Sequence, residues 1–115
     1  MRTKEAQAAY DAYKHKGGLD NGCRLCDAPA LQTFKHWKIV ENKFPYDLVA
    51  GKHDMIVPVE HCITKDVSAE AWAELQQIRA DVINKLYDFW IEATPRMGSI
   101  PDHLHAHLVV LKEIA

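Results

Sequence analysis

Three histidines near the end of the chain carry its clearest chemical signal. In His103-Leu104-His105-Ala106-His107-Leu108-Val109-Val110-Leu111 they alternate with apolar residues and lead into a β-branched run. Alternation with a period of two is the pattern of a strand, so the three imidazoles share one face and Leu104, Ala106 and Leu108 share the other. At a rise of roughly 3.3 Å per residue, His103 and His107 stand about 13 Å apart. One metal ion cannot take both rings on a straight strand, so the three rings need different jobs.

A second chemical cluster is Cys23-Arg24-Leu25-Cys26. Two thiolates at this spacing on a tight turn reach one Zn²⁺ and need two further ligands from elsewhere. Two rival readings stay open, a redox dithiol and two unrelated thiols. A redox pair usually opens a helix after a buried strand, whereas residues 17 to 22 here are turn-forming. Cys62 reads as a small buried side chain. His53 and His61 bracket an apolar segment, Asp54-Met55-Ile56-Val57-Pro58, and His36 stands alone on an expected strand surface.

These residues need elements to position them. A helix is expected from residue 3 to about 16, capped by Thr3, with Ala6, Ala9, Tyr10 and Tyr13 on its apolar face and Gly17-Gly18 as its stop. Asp27 to Ala30 reads as loop. The aromatic and β-branched residues from Phe34 onward predict a strand that turns at Glu41-Asn42-Lys43, and a short strand is expected over residues 44 to 50, with Pro45 at its start. Asp54 to Pro58 is a third strand. The longest helix is expected from residue 68 to about 93. Ser68 is its N-cap, Glu70 lies in the first turn, and Trp72, Leu75, Ile78, Val82, Leu86, Phe89 and Trp90 form one face packed on a sheet. Thr94-Pro95 closes it. The fold class expected is therefore α+β: an antiparallel sheet with one long amphipathic helix packed on it and a short N-terminal helix.

Composition sets the outer limits. The 115 residues suit one domain, with residues 1–22 as an N-terminal helix and turn and residues 23–111 as the core. A net charge of −2 gives no nucleic-acid footprint. No long apolar run predicts a membrane span, and the N-terminus has no apolar signal segment, so a cytoplasmic location is expected. Three cysteines in such a setting argue against a disulfide framework.

Taken together in order, four segments resemble the histidine triad (HIT) superfamily of nucleotide hydrolases and transferases. The run from His103 to Val109 is similar to its His-φ-His-φ-His-φ-φ motif, where φ is apolar. His53 to His61 is similar to its Gly-His-φ4-Pro-x-x-His strand. Asn42-Lys43-Phe44-Pro45-Tyr46 and Ser99-Ile100-Pro101-Asp102 resemble the branch that contains diadenosine tetraphosphate hydrolases and phosphorylases. Val110-Leu111-Lys112 stand where that branch usually has a Pro-Arg pair.

The resemblance implies an antiparallel sheet with a long helix on it, in a protein that is commonly a homodimer. It implies that His105 is the nucleophile, attacking the α-phosphorus of a nucleotide to give a covalent nucleotidyl-histidine. His107 would bond the phosphate, His53 would position phosphate or ring, Ser99 would lie nearest the leaving group, and Asn42 would contact the nucleotide. The substrate class is a dinucleoside polyphosphate or nucleotide conjugate, with a purine nucleotide favoured. It further implies that Cys23, Cys26, His61 and His103 hold a structural zinc. The alternative is a nucleotide-binding zinc module without efficient catalysis.

Overall fold

The computed structural model describes residues 2–15, 25, 28–60, 66–92 and 104–112. Five strands form one antiparallel sheet: β1 (Ala30–Thr33), β2 (Trp37–Glu41), β3 (Ala50–Pro58), β4 (Phe89–Ile91) and β5 (Ala106–Leu111). Their spatial order is β1-β2-β3-β5-β4. Helix α1 is Lys4–His15. Helix α2 runs from 69 to 86 without a break: an α-helical stretch Ala69–Ile78, a π-turn Arg79–Ile83, and a last turn Asn84–Leu86. The architecture is α+β, an antiparallel sheet carrying a long helix and a short N-terminal helix.

Side-chain alternation along the strands divides the interior in two. On one face, Trp37, Ile39, Ile56, Ala106 and Leu108 pack against Ala71, Leu75, Ile78 and Ile83 of α2. On the other, Val40, Met55 and Val57 pack against Leu25. The centre of the sheet is thus buried on both sides, which is why His53 through Pro58 are all buried although β3 lies between polar flanks. Each large apolar side chain removed from water contributes roughly 1.5–3 kcal/mol. Trp37 also gives its indole N–H to the Ala71 carbonyl at 2.8 Å, so burying this side chain leaves its donor paired.

Polar ties then fix α2 on the sheet. Ser68 caps it, its Oγ accepting from the Ala71 amide at 3.1 Å. One turn on, the Glu74 carboxylate accepts the amides of Lys35 and His36 at 3.2 and 2.7 Å. That carboxylate clamps the β1–β2 turn, and His36 lies in this turn, not on a strand. At the far end, the Tyr87 hydroxyl donates to Asp54 of β3 at 2.6 Å.

Four expectations differ. The long helix stops at Leu86, and Phe89 and Trp90, placed on its apolar face by their spacing, instead pair as β4 with Val109 and Leu108. Tyr87 is already extended (φ −125°, ψ 148°). Aromatic residues favour strands, and β4 covers a polar edge of β5 that would otherwise lie open. Residues 44 to 49 form no strand: the Tyr46 carbonyl accepts the amides of Val49 and Ala50 at 3.0 and 2.9 Å, closing a turn that leads into β3 at Ala50. Finally, Ala30 belongs to a strand, β1, that the loop reading did not include, and β3 starts at Ala50, so His53 lies inside the strand. The predicted helix stop at Thr94-Pro95 lies outside the described residues.

Candidate active site

The site grows from the register of β3 and β5. His53 pairs with Val109, and Met55 pairs with His107. His53 and His107 are therefore diagonal neighbours on one face, the face away from α2. Both are buried, at 4 % and 5 % exposure. Their rings meet with His53 Nε2 at 2.8 Å from His107 Nδ1. The His105 ring stands edge-on to His107, centroids 5.1 Å apart and planes at 83°. Period-two alternation thus brings His105 and His107 together as the strand pattern predicted, His103 lying outside the described residues, and β3 brings His53 from 54 residues away.

The β2–β3 connection supplies the rest. Asn42 extends the ladder past β2, its amide donating to the His53 carbonyl at 3.0 Å. Its Oδ1 accepts the Phe44 amide at 2.9 Å, an Asx-type turn. That contact makes Oδ1 the acceptor and lays the Asn42 Nδ2 against the His53 ring, 3.5 Å from Nδ1 and 3.2 Å from Nε2. This is a packing contact and not a hydrogen bond, because Nδ2 can only donate, Nδ1 already accepts from Tyr46 and Nε2 carries a proton of its own. Pro45 then delivers Tyr46, whose ring lies 4.5 Å from that of His53 and 5.0 Å from that of His107.

These contacts set proton positions. The Tyr46 backbone N–H lies 2.9 Å from His53 Nδ1 and can only donate, so Nδ1 is bare. Neutral His53 then carries its proton on Nε2 and donates it to His107 Nδ1. His107 in turn carries its proton on Nε2, 3.3 Å from the Tyr46 hydroxyl oxygen. The chain starts at the Tyr46 amide and ends at the Tyr46 hydroxyl. The charge state agrees: burial first, and the Arg2 guanidinium second, push the His53 ring down to about 4. Burial also raises the Tyr46 phenol above its ordinary range, against the opposing pull of Arg2.

Helix α1 covers this connection. Thr3 caps it through Oγ1, which accepts the Ala6 amide at 3.1 Å. The Thr3 amide and hydroxyl both donate to the Asp47 carboxylate, at 2.6 and 2.8 Å, and hold its pKa below the usual range. Tyr10, fully buried, stacks on Phe44 at 5.0 Å, and Tyr13 leans on the same ring. Of the four residues expected on the apolar face, Ala9 alone is exposed. The Arg2 guanidinium lies 4.5 Å from the Tyr10 ring centroid and 4.8 Å from that of Tyr46, and its Nε donates to the Phe44 carbonyl at 2.9 Å.

Of the residues singled out from sequence, the structure brings together His53, His105, His107 and Asn42. Cys23, Cys26, His61, His103 and Ser99 lie outside the described residues. Among the described residues no group of three or more His, Cys, Asp or Glu side chains is arranged to hold a metal ion. Two members of the site were not singled out. Tyr46 had a signal, its place in the Asn-x-aromatic-Pro-Tyr segment. Arg2 had none, because its role depends on a contact across 42 residues. Compared with known proteins, the chain matches no family model and no curated protein. Among the described residues no helix is long and apolar enough to cross a membrane.

Proposed function

We propose that this protein is a histidine triad nucleotide hydrolase or nucleotidyl transferase, with hydrolysis favoured, acting at the α-phosphate of a dinucleoside polyphosphate or nucleotide conjugate. The observation that carries the reading is the directed hydrogen-bond chain through His53 and His107, with the His105 ring standing edge-on to His107. A nucleophilic imidazole must be neutral, and a phosphate partner must present a proton; a pre-set tautomer supplies the second without reorganisation.

In the proposed reaction the His105 lone pair forms a bond to the α-phosphorus while the bond from phosphorus to the leaving oxygen breaks. The leaving group departs with that electron pair and takes up a proton from solvent, matched by the proton that the attacking water later gives up. His107 Nε2–H bonds a nonbridging oxygen and stabilises its charge. Water then attacks the same phosphorus, the N–P bond breaks, and nucleoside monophosphate and neutral His105 are released.

Zinc belongs to the same proposal. Cys23, Cys26, His61 and His103 form a Cys2His2 donor set, which suits a closed tetrahedral site and leaves no open position for catalysis. Leu25, between the two cysteines in sequence, is buried at 1 % exposure against Met55 and Val57, on the histidine-bearing face. That packing supports a metal-bound turn on this side of the sheet. A homodimer is also part of the reading. Phe89 and Leu111, 51 % and 46 % exposed on neighbouring strands, offer apolar surface for it.

The test is His105→Gly against diadenosine tetraphosphate and an adenosine phosphoramidate. Turnover is expected to vanish while the folded circular dichroism spectrum persists, and wild-type protein is expected to yield an acid-labile, alkali-stable adenylyl adduct. Full activity in His105→Gly would sink the mechanism. Tight AMP binding by a wild-type protein that forms no adduct and turns over neither substrate would select the non-catalytic nucleotide-binding module.

A further inference from the structure

The hydrogen-bond chain ends on a residue that the histidine mechanism does not use. His107 Nε2–H points to the Tyr46 oxygen, so that oxygen accepts and the phenolic proton stays available as a donor. The hydroxyl lies 3.3 Å from the nitrogen proposed to bond phosphate. A phosphoryl oxygen approaching His107 Nε2 therefore meets two donors side by side, an imidazole N–H and a phenol O–H.

Tyr46 is also held rigidly for such a task. Pro45 fixes the backbone before it, its carbonyl closes the turn at Val49 and Ala50, and its amide is spent on His53. Its ring packs on both His53 and His107. Arg2 lies between the Tyr46 and Tyr10 rings, tied to the Phe44 carbonyl and, at 3.4 Å, to Gln7. No carboxylate pairs with this guanidinium among the described residues, so the aromatic faces are its principal electrostatic partners. The cation sits beside a site proposed to receive an anion.

We propose that the Tyr46 hydroxyl is a substrate-binding donor, bonding a nonbridging oxygen of the phosphoryl group held by His107, with Arg2 as the positioning residue behind its ring. The proposal rests on the nucleotidyl-transfer reading and names a residue of that site. As the phosphoryl group gains charge, both donors strengthen together, and Tyr46 contributes to kcat as well as to binding. Arg2 fixes the ring without touching the substrate.

Tyr46→Phe keeps the ring stack and removes the hydroxyl, both the free donor and the acceptor of the His107 Nε2–H. Its kcat/KM on diadenosine tetraphosphate is expected to fall roughly a hundredfold, the scale of one lost oxyanion donor, with the larger part in kcat. AMP affinity by titration calorimetry is expected to fall several-fold, measured under conditions where the circular dichroism spectrum shows the variant fully folded. Arg2→Lys is expected to retain more kcat than Arg2→Ala. The double variant Arg2→Ala, Tyr46→Phe should be little worse than Tyr46→Phe alone, because Arg2 acts through that hydroxyl. Wild-type kcat/KM and wild-type AMP affinity in Tyr46→Phe would overturn the donor role. Fully multiplicative losses in the double variant would overturn the positioning role of Arg2. A failure of the parent reading is seen separately, as undiminished turnover in His105→Gly, and the AMP affinity of Tyr46→Phe still decides the role of Tyr46.

Discussion

His53 and His107 meet across two strands through a single 2.8 Å contact between ring nitrogens, and both rings are buried. His53 is held neutral because protonating Nδ1 would confront the Tyr46 amide, and because burial and Arg2 oppose the charge. Its folded pKa of about 4 lies below the ordinary 6.5. As pH falls below about 6.5 the unfolded chain takes up a proton that the folded chain refuses. The stability His53 contributes is therefore complete above that pH, declines as pH drops toward 4, and levels off beyond. The slope from this one group is at most about 1.4 kcal/mol per pH unit. Urea denaturation of wild type at pH 7 and pH 5 should show this loss, and His53→Gln should show a flatter pH dependence. Equal slopes in the two proteins would remove His53 as the cause.

The tie between Tyr87 and Asp54 makes a second prediction. Asp54 is 1 % exposed, and among its contacts are the 2.6 Å Tyr87 hydroxyl and the exposed Lys52 ammonium at 3.5 Å. Tyr87→Phe leaves a buried carboxylate short of its neutral donor, a loss worth about 1–3 kcal/mol in the urea midpoint. The phenol is also held protonated well beyond its ordinary 10.0, by burial first and by Asp54 second. Because its folded pKa is raised, its stabilisation is full below pH 10 and is lost as pH rises through that value. Wild type should lose stability between pH 9 and 11 more steeply than Tyr87→Phe. An unchanged midpoint at pH 7 in Tyr87→Phe would show that the bond contributes nothing.

How much of this was legible beforehand depended on whether a signal was local. The alternation of His103 to Leu111 and the caps at Thr3 and Ser68 are local, and the faces of β5 and the starts of both helices follow from them. β1 was missed because Ala-Leu-Gln-Thr is exposed at every position, and an edge strand with no buried face leaves no alternation to read. Phe89 and Trp90 continued the helical spacing of α2, and only the pairing demand of β5, some seventeen residues on, makes them a strand. The histidine cluster divided the same way. His105 and His107 were visible as a pair, and His53 was visible by resemblance. The roles of Tyr46 and Arg2 depend on tautomers and ring stacking that no spacing encodes.

Metal removal tests the remaining part of the proposal. If Cys23, Cys26, His61 and His103 form one closed site, purified protein should carry about one zinc per chain, measured by plasma mass spectrometry. Cys23→Ser should abolish it, because three ligands of a structural set bind weakly. A metal that binds the folded chain and not the unfolded one stabilises by mass action, about 4 kcal/mol when free zinc is a thousand times its dissociation constant. Chelation should therefore lower the thermal midpoint, and restored zinc should recover it. The effect should be absent in Cys23→Ser, which starts at the lower midpoint. His105→Ala should keep its zinc, since the nucleophile is not a ligand in this assignment, whereas His103→Ala should lose it. Retention of zinc by Cys23→Ser and His103→Ala, or its loss from His105→Ala, would break the division of labour along the strand.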